Sequence, residues 1–401
     1  MSYENHHRLL LLLLEDSIHG NNGTLLTENL TNEGLDRNGW HKLYSDSTTQ
    51  GVIAMLFKAV NREKRASQLE LNFGEENRDE STDSVESADS VKIKYGLVDT
   101  RTTTPPYDML CKWESDYLHY AKIYEKQKEI LSEIVTYLKG LGCEPILLNG
   151  VNYGRYYMNP AARYYGDIDL FLGNDFDNAI KALNNLGLNV KKINRFMARA
   201  TLRGVCIRVH KRLMFSQFIN RLYSKSDYTA SKILGEMLTE ERREIEVNTV
   251  TVTIPSLEFE ALYMIKYCMH HFLEYGLYLR HLCDITLFFE TNRDLLDHKQ
   301  LENKLKRLKL YRVYCTFIAS CVANLGMDYP GYNGTIKKYS QKLTMDIFFN
   351  RYRLTSREKI RTMTGLGRYL LKIRYFNDSR WKYSLIDRKI YYRLLVYKLL
   401  F

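Results

Sequence analysis

The sequence predicts an α+β fold, a small mixed β-sheet with helical blocks before and after it, and three stretches of the 401-residue chain carry that expectation. From 107 to 141, Trp113, Tyr117, Tyr120, Ile123 and Tyr124 recur three to four residues apart, the spacing that lines one face of a long helix. From 145 to 187 the order is extended run, glycine, helical stretch, strand with two acids, helix. Residues 246–254, Glu-Val-Asn-Thr-Val-Thr-Val-Thr-Ile, alternate as a strand does.

Residues 1–110 read as an N-terminal helical region. Leu9–Leu14 is an apolar run halted by Glu15 and Asp16, too short for a signal segment or a membrane span, and it reads as the buried face of a first helix. Trp40, Leu43 and Val52 to Phe57 supply more apolar positions near helical spacing. Between 74 and 91 the chain holds seven acids, many serines and almost nothing apolar, the composition of a flexible acidic loop. Thr102–Pro106 punctuates the chain before the long helix, which Gly140 and Gly142 end.

A core domain is expected over 111–255, with strands near 145–149, 166–172, 203–210 and 246–254 and a helix over 176–187 opened by Gly173-Asn174-Asp175. Pro255-Ser256 leads into a helical domain, 256–336, in which Glu258, Glu260 and Glu274 read as surface or cap residues. Residues 337–401 form a basic, aromatic helical tail with 17 Lys and Arg against four acids, so almost all of the chain's +11 net charge belongs there. Three readings stay open for that tail: a solvated helical face, an interfacial helix drawn to an anionic membrane surface or acidic partner, or a groove for nucleic acid. The Leu-Leu-Phe ending favours packing or lipid, because phosphate contacts alone do not call for it.

Hydrophobic content of 45% fits a folded chain long enough to bury a real core. The 31 tyrosines suit half-buried packing positions, where the ring is covered and the hydroxyl stays wet. Seven scattered cysteines without a C-x-x-C pair argue against a disulfide framework or zinc site and fit a reducing, cytoplasmic setting.

The chemistry concentrates at Gly166-Asp167-Ile168-Asp169. Side chains two apart on a strand share a face, so Asp167 and Asp169 aim two carboxylates at one spot while Ile168 turns to the core. Paired carboxylates on a rigid edge suit Mg²⁺ (or Mn²⁺), which prefers hard oxygen ligands and brings phosphates with it. The plainer reading is a turn cap, or a pair with Arg163.

Leu147-Leu148-Asn149-Gly150, then Arg163 ahead of Gly166-Asp167-Ile168-Asp169, then Ile207-Arg208-Val209-His210, resembles the uncharacterised nucleotidyltransferase family of the polymerase-β-type superfamily. Trp40–Tyr44 with Gln50-Gly51-Val52, and Pro255–Phe289 with His270, His271, Gly276–Arg280 and Asp284, agree with that family's flanking segments. The resemblance implies a nucleotidyltransferase core that moves a nucleoside monophosphate from an NTP to an unknown hydroxyl or phosphate acceptor. It implies that Asp167 and Asp169 hold the metal–triphosphate. Asn149, Gly150, Arg163, Arg208 and His210 then stand at the phosphates, and Arg280 and Asp284 line the cleft and meet the nucleotide or the acceptor.

Two departures cut against activity. The family's lysine before the glycine is Asn149, and the acid of its third strand is Arg208. A two-metal site normally meets three carboxylates, and a guanidinium cannot shed its proton to make room. The alternative is a catalytically degenerate protein that binds a nucleotide or serves as a scaffold. Arg280 and Asp284, four apart, also suit a helical surface pair, and Lys211 and Arg212 would add positive field at the mouth of the site. His270 and His271 project about 100° apart on a helix, a poor arrangement for one shared metal.

Overall fold

The computed structural model describes residues 5–20, 34–61, 102–213, 232–238, 241–329, 337–349 and 362–386, apart from positions 58, 103 and 275. The acidic stretch 74–91 and the Leu-Leu-Phe ending of the tail lie outside them. Two units are distinct, Met1–His119 and Tyr120–Phe401.

In the first unit, helix α1 (Asn5–His19) buries Leu9, Leu10, Leu13 and Leu14, the face expected from the apolar run. Helix α2 (Arg37–Gln50) starts where Asp36 accepts a hydrogen bond from the Gly39 amide at 2.6 Å and stops at Gly51, whose φ of 70° suits glycine. The Trp40 and Trp113 rings meet edge to face at 6.2 Å, and the Tyr44 hydroxyl donates to Asp116. His6 and His7 each hold Nε2 3.2 Å from Oδ2 of Asp46. This is a cluster of metal-ligand chemistry that sequence spacing did not announce, and among the described residues no other such triad is found.

Helix α3 (Tyr107–Gly140) is the long amphipathic element expected, and beyond residue 119 it belongs to the second unit. That unit is built on a seven-stranded mixed sheet. Its strands are β1 (Ile146–Leu147), β2 (Ile168–Phe171), β3 (Lys191–Asn194), β4 (Met197–Leu202), β5 (Val205–His210), β6 (Arg242–Val247) and β7 (Val250–Pro255). They lie in the order β3-β4-β5-β2-β1-β7-β6. β2 with β5 and β1 with β7 are parallel, and the remaining neighbours are antiparallel.

Two expectations are corrected. The run 246–254 is not one strand: Asn248 adopts φ 54° and turns the chain, so Val247 pairs with Val250 in a hairpin. The segment 203–210 is likewise split, because Arg203 (φ 48°) and Gly204 (φ 83°) make the turn of the β4–β5 hairpin.

One face of the sheet packs on α3 through Ile130, Leu131, Ile134 and Leu138, and on helix α5 (Phe176–Asn185) through Phe176, Ala179 and Leu183. Between β1 and β2 comes the one-turn helix α4 (Val151–Gly154). A Cβ on Gly154 would collide with the Tyr165 hydroxyl, so any larger residue there would have to displace that ring.

The helices that follow are α6 (Leu257–Glu274), α7 (Leu279–Thr291), α8 (His298–Arg307), α9 (Tyr311–Leu325), α10 (Lys337–Phe349), α11 (Gly365–Asp378) and α12 (Arg380–Ser384). Ser256 caps α6 as its sequence context suggests, accepting from the Phe259 amide. Glu260, expected as a surface or cap residue, is fully buried. Oε2 takes Arg243 at 2.6 Å, Tyr156 at 3.0 Å and Arg155 at 3.2 Å, and Oε1 takes the Asn152 amide. A buried carboxylate is tolerable only with that many donors.

In the tail, Lys382 is also fully buried, 2.6 Å from Asp346 and 5.0 Å from the Phe272 ring centroid. Leu366, Tyr369 and Leu370 stand exposed on α11 beside Arg368. Among the described residues no helix is long and apolar enough to cross a membrane.

Candidate functional site

The parallel pairing of β2 with β5 sets the site. Ile168 lies opposite Ile207 and Asp169 opposite Arg208, so the apolar members share the core face and the polar members share the other. Strand period then adds Asp167 below Asp169 and His210 above Arg208. Gly150 ends the β1 segment with φ 70° and ψ −114°, a conformation that a Cβ disfavours, and starts α4.

These groups open on a cleft of about 530 Å³. Its lining includes Asn149, Gly150, Arg163, Asp167, Asp169, Arg208, His210, Arg280 and Asp284, but not Lys211 or Arg212, which the sequence also set at its mouth. Tyr153, Tyr164, Tyr263, Tyr267, His270, His271 and His281 complete much of the wall, and of these only the His270-His271 pair had been noted from sequence. Nothing in a lone tyrosine distinguishes a cleft wall from ordinary packing.

Asp169 is enclosed, its side chain 3% exposed. Oδ2 accepts from Asn149 Nδ2 at 2.7 Å and from Arg208 Nη2 at 2.8 Å. Oδ1 lies 2.8 Å from Nε2 of His210, and since a carboxylate only accepts, the ring donates there. Burial pushes this carboxyl upward, but the His210 hydrogen bond and the Arg208 charge outweigh it and hold it below the ordinary aspartate range.

Asp167 is more open, 35% exposed, with Oδ2 3.1 Å from Arg208 Nε, an ion pair without hydrogen-bond alignment. Arg208 therefore bridges both aspartates, and their charges keep it protonated against the cost of its burial. Cys206, on the same face, has its thiol pushed up to about 11 by burial and then by Asp167, which disfavours the thiolate.

Arg163 is not turned to the cleft's open side. It makes a two-pronged pair with Asp284, Nε to Oδ1 at 2.7 Å and Nη2 to Oδ2 at 2.8 Å, while Nη1 donates to the carbonyls of Gly150 and Tyr164. Tyr157 adds a hydroxyl to Oδ1 at 2.7 Å. The pair fastens the loop ahead of β2, and the Gly150 turn with it, to α7. Arg163 is thus spent on positioning, as is Asp284.

Asp284 consequently does not pair with Arg280. That guanidinium lies 4.3 Å from the Tyr164 ring centroid and 4.9 Å from that of Tyr278. Lys211 pairs with Asp177 at 2.8 Å and Arg212 lies over the Phe196 ring, so both have partners of their own.

His271 is half-buried against Tyr267 and His281, with ring centroids 4.6 and 5.0 Å away. Burial first, and then charges on His270, Arg280 and Arg208, push its pKa down to about 3.

A family model described as "Uncharacterised nucleotidyltransferase" matches residues 36–326. Among curated proteins no sequence matches. One solved structure, an antigenic nucleotidyltransferase-like protein from Paracoccidioides brasiliensis, aligns at 13% identity with a TM-score of 0.30, over 50% of this chain and 93% of that one. At that level the likeness bears on neither fold nor function.

Proposed function

The chain belongs to the uncharacterised nucleotidyltransferase family, and on that premise we propose that its cleft binds a nucleoside triphosphate with Arg208, rather than a divalent cation, set against the aspartates. The carrying observation is that both Asp169 oxygens are already engaged by donors from this chain. Oδ1 holds His210, and Oδ2 holds both Asn149 and Arg208. A divalent cation there would neutralise phosphate charge, yet the residues as arranged do not fit it. The third carboxylate that a metal pair calls for is the guanidinium itself.

In this reading Arg208 does electrostatically what the ion would do, presenting fixed positive charge toward phosphate oxygens at the mouth of the cleft. It cannot organise an attacking hydroxyl as a second ion would. The protein is then a nucleotide-binding member of its family with turnover lost or much reduced.

A second reading is Mg²⁺-dependent transfer of a nucleoside monophosphate to an unidentified acceptor. Its support is that Asp167 is 35% exposed and meets Arg208 without hydrogen-bond alignment, so its carboxylate is open to an incoming cation. Thermal shift with each NTP, with and without Mg²⁺, run beside label transfer from α-labelled NTP in lysate, separates the two. Stabilisation by NTP without Mg²⁺ and no moved label is the result expected. Mg²⁺-dependent label transfer carries the second reading. No response to any NTP overturns both.

A further inference from the structure

The helical wall of the cleft carries a cation with no acid to answer it. Arg280 sits in the first turn of α7, where the helix dipole makes positive charge unwelcome and negative charge welcome. Its natural partner four residues on, Asp284, is taken on both oxygens by Arg163 and on one by Tyr157. Among the described residues no carboxylate lies within ion-pair distance of Arg280. The guanidinium is instead held in place by the Tyr164 and Tyr278 rings, half-buried at the cavity edge.

We infer that Arg280, with the adjoining His271 wall, forms a second anion position in the cleft that takes a phosphate group. The aspartate–Arg208 cluster at the sheet edge carries one net negative charge when His210 is neutral, whereas the Arg280 wall carries uncompensated positive charge. A planar guanidinium fixed by two aromatic faces suits a tetrahedral oxyanion, because its fork is ordered before the ligand arrives. Burial is the main reason His271 stays neutral, and Arg280 and Arg208 add to it only after His270.

This deepens the nucleotide reading and rests on it for the source of the phosphate alone. Two sources share the chemistry: the polyphosphate of the nucleotide, or a phosphate carried by the acceptor.

Calorimetric titration of the full chain, wild type against Arg280→Gln and Arg280→Lys, tests it with two probes and no metal. The probes are ATP, and inorganic phosphate added to the protein alone and to the ATP-saturated protein. If Arg280→Gln weakens ATP about tenfold or more, the position holds the nucleotide's own phosphate. If ATP is unchanged but inorganic phosphate no longer binds the ATP-saturated variant, the position serves the acceptor. Arg280→Lys is expected to fall between, keeping charge but losing the fork. Should ATP fail to bind wild type while inorganic phosphate binds in an Arg280-dependent way, the nucleotide reading fails and the anion position stands. Equal affinities in wild type and Arg280→Gln for both probes, or no binding of either, overturns it.

Discussion

Asp169 and Arg208 are register partners on adjacent parallel strands, and their side chains close at 2.8 Å on the cleft face of the sheet. Parallel neighbours point the same way, so this contact follows from the strand pairing and needs no special loop. It puts a permanent cation beside both aspartates, at the position that the resemblance assigns to a third carboxylate.

Replacing that cation should therefore reverse the metal behaviour. Arg208→Glu gathers three carboxylates at one face, and we expect its melting temperature in chelator to fall by on the order of 5 °C. Millimolar Mg²⁺ should restore most of the loss in the variant and leave wild type unmoved, as read by differential scanning fluorimetry. A variant indifferent to Mg²⁺ would show that Arg208 does not occupy a metal ligand's place.

Glu260 is the only acid met by Arg155 and Arg243 among their described ion pairs. Glu260→Ala strands both guanidinium groups and the Tyr156 hydroxyl, and should cost roughly 3–5 kcal/mol in urea unfolding. Glu260→Gln keeps an acceptor and should cost less. Equal losses would mean that shape rather than charge holds this corner.

The Arg163–Asp284 pair is nearly dry, with side chains 10% and 12% exposed. Removing either partner should cost roughly 3–5 kcal/mol, while Arg163→Met with Asp284→Leu should recover part of the loss. The double-mutant cycle checks it, and additive single losses would argue against a coupled pair.

Acid should weaken the second unit before its carboxylates titrate. An unfolded histidine takes a proton below about pH 6.5, whereas His271, faced by His270, Arg280, Arg208, Tyr267 and His281, resists one until about pH 3. The unfolded state then binds more protons in that window, so stability falls as pH drops through it, by at most about 1.4 kcal/mol per pH unit. His271→Phe should flatten the slope between pH 6 and 4 in a urea titration series.

On α11, Leu366, Tyr369 and Leu370 are exposed three and four residues apart, with Arg368 between them. An interfacial helix has this make-up. Wild type is expected to float with liposomes containing anionic lipid, and Leu366→Glu with Leu370→Glu to stay behind. Equal flotation of both proteins would remove α11 from consideration.

What the sequence made legible followed from local periodicity and from the family resemblance. Gly166–Asp169 and Ile207–His210 were linked by that resemblance, while strand period two fixed only which side chains share a face; the pairing of Asp169 with Arg208 is a finding of the strand register. The hairpin at Asn248 was hidden because valine and threonine alternate on through the turn, although an asparagine at a position of positive φ is itself a turn signal. β3 was missed because three of its four side chains are exposed and leave no apolar alternation. Glu260 and the Arg163–Asp284 pair escaped for another reason. Arg163 and Asp284 are 121 residues apart, and no local pattern reports which distant cation will cover an acid.

The burial of Lys382 bears on how the tail can be handled. With its ammonium locked on Asp346 and lying over Phe272 of α6, the described part of the tail is woven into the helical half of the second unit. A shortened protein ending before that lysine would take the buried ammonium away from Asp346 and from the Phe272 ring. Any loss of binding it showed would reflect damage to the interior, so point changes on α11 are the cleaner instrument.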